Sequence, residues 1–362
     1  MARYFSFRDL DWGILIIALI ISSLGILQIY SATHDTRFDN VWWKQVMFVV
    51  VGLVVMWLIA SIDYHTLLGQ APILYAASLA LLITVYLIGT RVFGSRRWIE
   101  VFGFTFQVSE FVKLVLVILV ARFLTELKSD TLEGRDLVKL AALVGAPTLL
   151  VLKQPDLGTA LTYLPIAAVG AFLAGLRWKY LVLIGLIVVV ALPASWHFLQ
   201  DYQKERLVSF LDPESKPLGS GYQQIQSKIA VGAGGMWGKG VARGSQTQLR
   251  FLPVTHTDFI FAAFAEEHGF AGVIAVLTLY FVLLMQIVQN AQTAPDRAGM
   301  YICMGVSALL LFHVLVNAGM AVGRMPVTGI PLPLMSAGGS NTLSTFMMLG
   351  LVNNVRLRRF VN

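Results

Sequence analysis

The sequence predicts an all-α polytopic membrane protein with about ten transmembrane helices and a large extracytoplasmic loop before the eighth. Three observations carry this. Hydrophobic residues make up 57% of the chain and charged residues 13%, where a soluble domain has roughly half and a quarter. The apolar residues come in continuous runs of spanning length, about 20 residues each, and not in the short alternating strands of a membrane barrel. A single long polar stretch, residues 200–256, interrupts them late in the chain.

The first run starts close to the N-terminus, reaches full spanning length and lacks a small-residue cleavage site after it. It is therefore expected to be a retained span. Helices are expected near 11–31, 44–62, 72–90, 109–127, 137–152, 158–175, 179–199, 258–289, 299–322 and 339–355. Together 1–362 form one integral membrane domain. The eighth run is too long for one straight span, so its start is expected to project from the bilayer. The only cysteine, Cys303, lies in an apolar run, which excludes a disulfide framework.

Lys and Arg near the span ends favour both termini on the cytoplasmic side. The inner ends then collect Arg3, Arg8, Lys128, Arg135, Lys139, Arg177, Lys179, Arg297, Arg356, Arg358 and Arg359. The outer short loops still hold Arg37, Lys44, Arg91, Arg96, Arg97, Lys153 and Arg324. Outward cations in that number suit an anionic substrate. Within 200–256, Tyr222 to Val231 has the spacing of a short amphipathic helix.

Four polar clusters stand at membrane depth or its outer edge. In RVFGSRRWIEVFGFTFQVSEFVKL, residues 91–114, Glu110 and Lys113 share a helix face and can pair. The stretch before them is too short and Gly-broken to span, and is expected to dip back into the protein. In KQPDLGTA, residues 153–160, Asp156 is placed to cap the next helix, while Lys153 and Gln154 are candidates to line a cavity. In GRMPVTGIPLPLMSAGGSN, residues 323–341, Pro and Gly forbid regular helix. Ser336 or Ser340 could cap the last span, a place that also suits a phosphate.

The fourth cluster is THTDFIFAAFAEEHGF, residues 255–270. Asp258 falls at the outer mouth of the eighth helix. It is either an acid favoured by the helix dipole or a chemical group. On a regular helix Glu266 would lie about 12 Å further along and about 80° around, and Glu267 on the opposite side. Neither makes the carboxyl pair of an inverting glycosidase. A single general base suits a leaving group that departs without a proton, such as a diphosphate, which needs cations instead.

These motifs, with FLDP, GYQQIQS and GAGGMWGKG in the polar stretch, resemble the SEDS family of polytopic peptidoglycan glycosyltransferases over nearly the whole chain. PVTGIPLPL is similar to the cell-elongation branch. The resemblance implies polymerisation of lipid II into β-1,4 glycan on the outer face of the bacterial cytoplasmic membrane, with release of undecaprenyl diphosphate. It implies that Asp258 is the essential base, and that Glu110 and Lys113 are the family's buried pair. Implied partners are a class B penicillin-binding protein that supplies transpeptidation and the membrane proteins of the elongation complex, with no nucleic acid. Gln154, Asp156, Glu266 and Glu267 are expected to support the pocket, and Arg97, Lys239, Arg324 and Ser340 to bind the diphosphate. No cofactor is certain. A divalent cation, Mg or Mn, would help the diphosphate leave, but the sequence shows no ligand cluster for one. Val108, His268, Arg324 and Ala337 depart from the family's usual residues. A flippase for lipid-linked precursors and a non-catalytic scaffold for a transpeptidase are the alternatives.

Overall fold

The structure, a computed structural model, describes residues 10–34, 36, 38–92, 95–101, 104–127, 131–197, 199–215 and 219–359. Of the basic residues used for orientation, Arg3, Arg8, Arg37 and Lys128 lie outside the described residues.

Each expected apolar run coincides with helix. In chain order these are α1 Trp12–Thr33, α2 Val41–Ser61, α3 Tyr64–Ile88, α4 Val108–Thr125, α5 Gly134–Lys153, α6 Leu157–Thr162 with α7 Leu164–Leu173, and α8 Trp178–Ser195. The polar stretch adds α9 Asp201–Leu211, α10 Ser220–Ala233 and α11 Ser245–Gln248. After it come α12 Ile260–Gln292, α13 Arg297–Ala321 and α14 Gly339–Leu357. α10 contains the short helix that the sequence predicts at 222–231. Among the described residues α1, α2, α3, α12 and α13 are each long and apolar enough to cross a membrane by length and composition alone.

The helix starts are fixed by the side chains that the sequence supplies there. Asp11 accepts from Ile14 N, Asp63 from His65 N, Asp156 from Thr159 N and Asp296 from Gly299 N. Each satisfies an amide that the helix itself leaves free. α13 is the central helix: it packs on α4, α7, α12 and α14 and is buried along most of its length. α8 is its opposite, with Leu181 to Val190 exposed on every side, as suits a helix surrounded by lipid.

One detail goes beyond the expectation. The bundle is predominantly helical as expected, and residues 90–107, expected as an interrupted stretch dipping into the protein, add a small sheet to it. β1 Thr90–Val92, β2 Ser95–Val101 and β3 Phe104–Gln107 form an antiparallel sheet in the order β1-β2-β3. Trp98 pairs with Gln107, and Ile99 with Phe106. The segment is rich in aromatic and β-branched residues, which favour extended backbone, and pairing satisfies its backbone groups as a single dipping strand could not.

α12 does not continue straight beyond its span. It breaks at Gly269, where φ is 66° and ψ is −167°. The break frees backbone groups that lipid cannot satisfy, and the 235–240 segment of the polar stretch meets them. Lys239 N and Gly240 N donate to the carbonyls of Glu266 and Glu267 at 3.1 and 2.9 Å. Phe270 N and Ala271 N donate to the carbonyls of Gly235 and Met236 at 2.9 and 3.0 Å. The approach leaves no room for side chains: a Cβ on Gly238 would stand 2.2 Å from the Glu267 carbonyl oxygen, and one on Gly269 2.3 Å from Gly238 N. Glycine is also the residue that takes these positive φ values without strain. The GAGGMWGKG motif is thus the counterpart of a broken helix.

Candidate functional site

Asp258 sits in the turn before α12, whose N-cap is Phe259. Its carboxylate makes no capping hydrogen bond to the helix. The turn is held by its backbone. Asn317 Nδ2, on α13, donates both to the Asp258 carbonyl at 2.9 Å and to the Ile330 carbonyl at 2.8 Å. Ser336 Oγ donates to the Thr257 carbonyl at 2.7 Å, and Ala337 N to the His256 carbonyl at 2.9 Å. The Asp258 turn and the 326–338 loop are therefore one unit clamped to α13. Gly329, with φ of 73°, faces the carboxylate, and a Cβ there would stand 3.3 Å from Asp258 Oδ2.

The carboxylate is surrounded mostly by protein, and burial pushes its pKa above the ordinary aspartate value. The positive charges of Arg206 and Arg97 and a hydrogen bond from Thr257 oppose that shift, while the negative charge of Asp156 adds to it. Arg206, from α9, donates to the Thr328 carbonyl at 3.1 Å. Arg97, from β2, pairs with Asp156 at 3.3 Å. Asp156 is held further by Gln107 Nε2 at 2.7 Å, and Ser340 Oγ accepts from Gln107 N at 2.9 Å. The structure thus brings Asp258, Arg97, Asp156 and Ser340 to one end of the bundle. Arg97 Nε, Thr328 Oγ1 and Asn317 Oδ1 are buried there without a partner among the described residues.

Glu110 and Lys113 form a separate, deeper centre. Lys113 Nζ donates to Glu110 Oε1 at 2.8 Å and to His313 Nε2 at 3.1 Å. His313 Nδ1 lies 2.8 Å from the Leu309 carbonyl, so that nitrogen holds the ring proton and Nε2 is the acceptor. Ser344 of α14 reaches Glu110 Oε2 at 3.5 Å. The pair thus joins α4 to α13 and α14. His313 and Asn317 stand one turn apart on α13, a polar i,i+4 pair in an apolar helix that was visible in the sequence and went unused. Arg206 carried no such signal; it is one basic residue among many in a long polar stretch.

The remaining expected residues fall elsewhere. Gln154 donates to the Leu82 carbonyl at 2.8 Å and ties α5 to α3. Glu266 accepts from Lys239 Nζ at 3.0 Å, from Gln246 N at 2.9 Å, and from Thr247 N and Oγ1 at 3.0 and 2.9 Å. Glu267 accepts from Ser31 and Gln28 of α1. Both carboxylates anchor the 239–248 segment and its surroundings, and Lys239 is engaged there as the counter-ion of Glu266. Arg324 is exposed, beside Gly323, over which Lys228 of α10 lies. Among the described residues no three or more His, Cys, Asp or Glu side chains converge as a metal site.

A helical membrane bundle that clamps one largely buried carboxylate among cations at one end defines a polytopic membrane protein with a candidate enzyme site. The chain belongs to the SEDS family: the FtsW/RodA/SpoVE family model, described as cell cycle protein, matches residues 11–359. It is 38% identical over 353 residues to the peptidoglycan glycosyltransferase MrdB of Escherichia coli K12, covering 97% of this chain and 94% of that one. Its fold is similar to a chain of a peptidoglycan synthase complex solved for its coordination of polymerization and crosslinking, with a TM-score of 0.84, 34% identity and coverage of 98% and 99%. It is also similar to the rod shape determining protein RodA of Thermus thermophilus, with a TM-score of 0.74, 31% identity and the same coverage.

The buried pair yields a stability prediction. Lys113→Met strands Glu110 as an uncompensated buried acid and is expected to cost about 3–5 kcal/mol. Adding Glu110→Gln removes the stranded charge, so the double variant is expected to melt higher than Lys113→Met alone in detergent. Additive losses would show that the pair is not coupled.

Proposed function

We propose that this chain polymerises lipid II into β-1,4 glycan, with Asp258 as the general base and undecaprenyl diphosphate as the leaving group. One observation carries this reading: a largely buried carboxylate sits in a turn held by its backbone, with no ion pair of its own among the described residues. The acceptor sugar 4-hydroxyl gives its proton to Asp258 as its oxygen attacks the donor anomeric carbon. The bond to the diphosphate breaks with inversion, and the diphosphate leaves with its electron pair. No second acid is needed. The carboxylate that acts electrostatically on Asp258, Asp156, is already engaged by Arg97, Gln107 and Thr159. The leaving group's charge falls to Arg97 and Arg206, with Ser340 at the start of α14. Lys239 is left out of this set because Glu266 holds it. Glu110 and Lys113 shape the pocket from below, and Gln154 supports it indirectly by holding α5 to α3.

The reading places the chain, as one integral membrane domain, in the bacterial cytoplasmic membrane. Both termini are inside, and Asp258 and the 200–256 loop are outside. The similar complex named for polymerization and crosslinking supports a class B penicillin-binding protein as partner, within an elongation assembly. The reading routes no step through a metal.

Purified protein given labelled lipid II is expected to make glycan polymer. Asp258→Asn is expected to lower the rate at least about 100-fold, the usual worth of a general base or more. Its melting temperature should hold, because Asn317 grips the backbone carbonyl and not the carboxylate. Translocation of lipid II without polymer would indicate a flippase, and neither activity a scaffold. A second prediction concerns pH. The active form is the carboxylate, so polymerisation falls as pH drops through the raised pKa of Asp258. Arg206→Gln removes a positive charge that lowers this pKa, so the acid limb of the rate profile is expected to move to higher pH. A limb that stays in place would separate Asp258 from the observed titration.

A further inference from the structure

Three helices serve as rulers for the height of the polar stretch. α12 and α13 leave the same turn at 293–296. α1 starts at that end too, since Asp11 accepts from Asn290 Nδ2 at 2.8 Å and from Arg356 at 2.7 Å. Along α13, Asn317 stands about 30 Å from Arg297. The unbroken part of α12, from 292 back to 270, is about 34 Å long. Along α1, Ser31 stands about 30 Å from Asp11. All three lengths match the hydrocarbon thickness of a bilayer, about 30 Å.

The polar stretch is pinned at the top of two of these rulers. Gly235 and Met236 bond to the break in α12. Ala242 N donates to Ser31 Oγ at 3.1 Å, and Gln248 Nε2 donates to the Ser31 carbonyl at 3.0 Å. Asp258 is fixed at the top of the third by Asn317. Residues 260–268 therefore run across the end of the bundle, between points of nearly equal height, and do not project away from it.

Between those pins the large outward side chains are mostly apolar, with Arg243, Ser245 and Arg250 exposed among them. Trp237 is 81% exposed, Leu249 65% and Met236 59%, and Phe251 and Val254 are also exposed. Phe270 and Ile274, on α12 just past the break, continue the same exposed apolar surface toward the spans. Arg243 is exposed in the same segment. Apolar and aromatic side chains with a cation, at the edge of the hydrocarbon, are the composition of a membrane interface.

We propose that residues 235–254 form an interfacial element that rests on lipid, with Trp237 and Leu249 in the acyl-headgroup boundary, and are not a loop standing in water. This rests on the fold and on no catalytic assignment. Cys303 is the chain's only cysteine and is buried, so one introduced cysteine can carry a spin label. Trp237→Cys and Leu249→Cys are labelled in protein reconstituted into vesicles of phosphatidylethanolamine and phosphatidylglycerol. Glu214→Cys, on an exposed polar turn, serves as the water reference, and Phe281→Cys, exposed mid-way along α12, as the lipid reference. The ratio of oxygen to nickel-chelate collisions at 237 and 249 is expected to be severalfold above that at 214 and to approach that at 281. A ratio equal to that at 214 overturns the proposal. Low collision with both reagents also overturns it, because a protein surface, such as a second copy, would then cover the patch. If one cysteine variant fails to fold, the other carries the test.

Discussion

The side-chain amide of Asn317 donates to two backbone carbonyls, those of Asp258 and Ile330, and the geometry of the site follows from that clamp. A general base in a partly dry site has to be fixed without being neutralised. Holding it by a salt bridge would position it but would also lower its basicity and occupy its oxygens. Here the main chain is held, and the carboxylate carries only modest opposing influences from Arg206, Arg97 and Thr257. One turn along α13, His313 accepts from Lys113. The same helix face thus grips the buried ion pair below and the Asp258 turn above, and a central, well-packed helix sets the distance between them.

The second constraint is the accounting of backbone groups. Breaking α12 at Gly269 would be costly at the edge of lipid. The glycine-rich 235–240 segment meets the exposed amides and carbonyls at hydrogen-bonding distance. Glu266 and Glu267 reinforce that junction through Lys239, Thr247 and Ser31. Their acidity is spent on architecture. The result is a half-helix that starts at the Asp258 turn and ends at the Gly269 break.

Much of this was legible in the sequence. The spans follow from run length and hydropathy, which the bilayer makes decisive. Asp258, Glu110 and Lys113 stood out because charge at membrane depth is costly, and Asp156 because a Pro-Asp step before a helix is a cap. The family was legible from motifs along the whole chain. What was not legible depends on tertiary contact. The β-sheet at 90–107 was hidden because short strands between glycines look like an interrupted span. The break at Gly269 was hidden because a glycine at the start of a long apolar run is ordinary, and its complement lies some 30 residues earlier. Lys239 looked like a free cation until Glu266 was seen to hold it. Arg206 became a site residue only once α9 was placed beside the 326–338 loop.

The clamp is tested most directly by steady-state polymerisation kinetics of Asn317→Ala with lipid II. The variant removes two hydrogen bonds to backbone and leaves every charged group in place. A small displacement of a catalytic group is enough to cost on the order of 100-fold in rate. The account predicts a fall in kcat of about that size, with KM and the melting temperature close to native. Native kcat, or a loss of activity that only tracks a loss of folded protein, would contradict it.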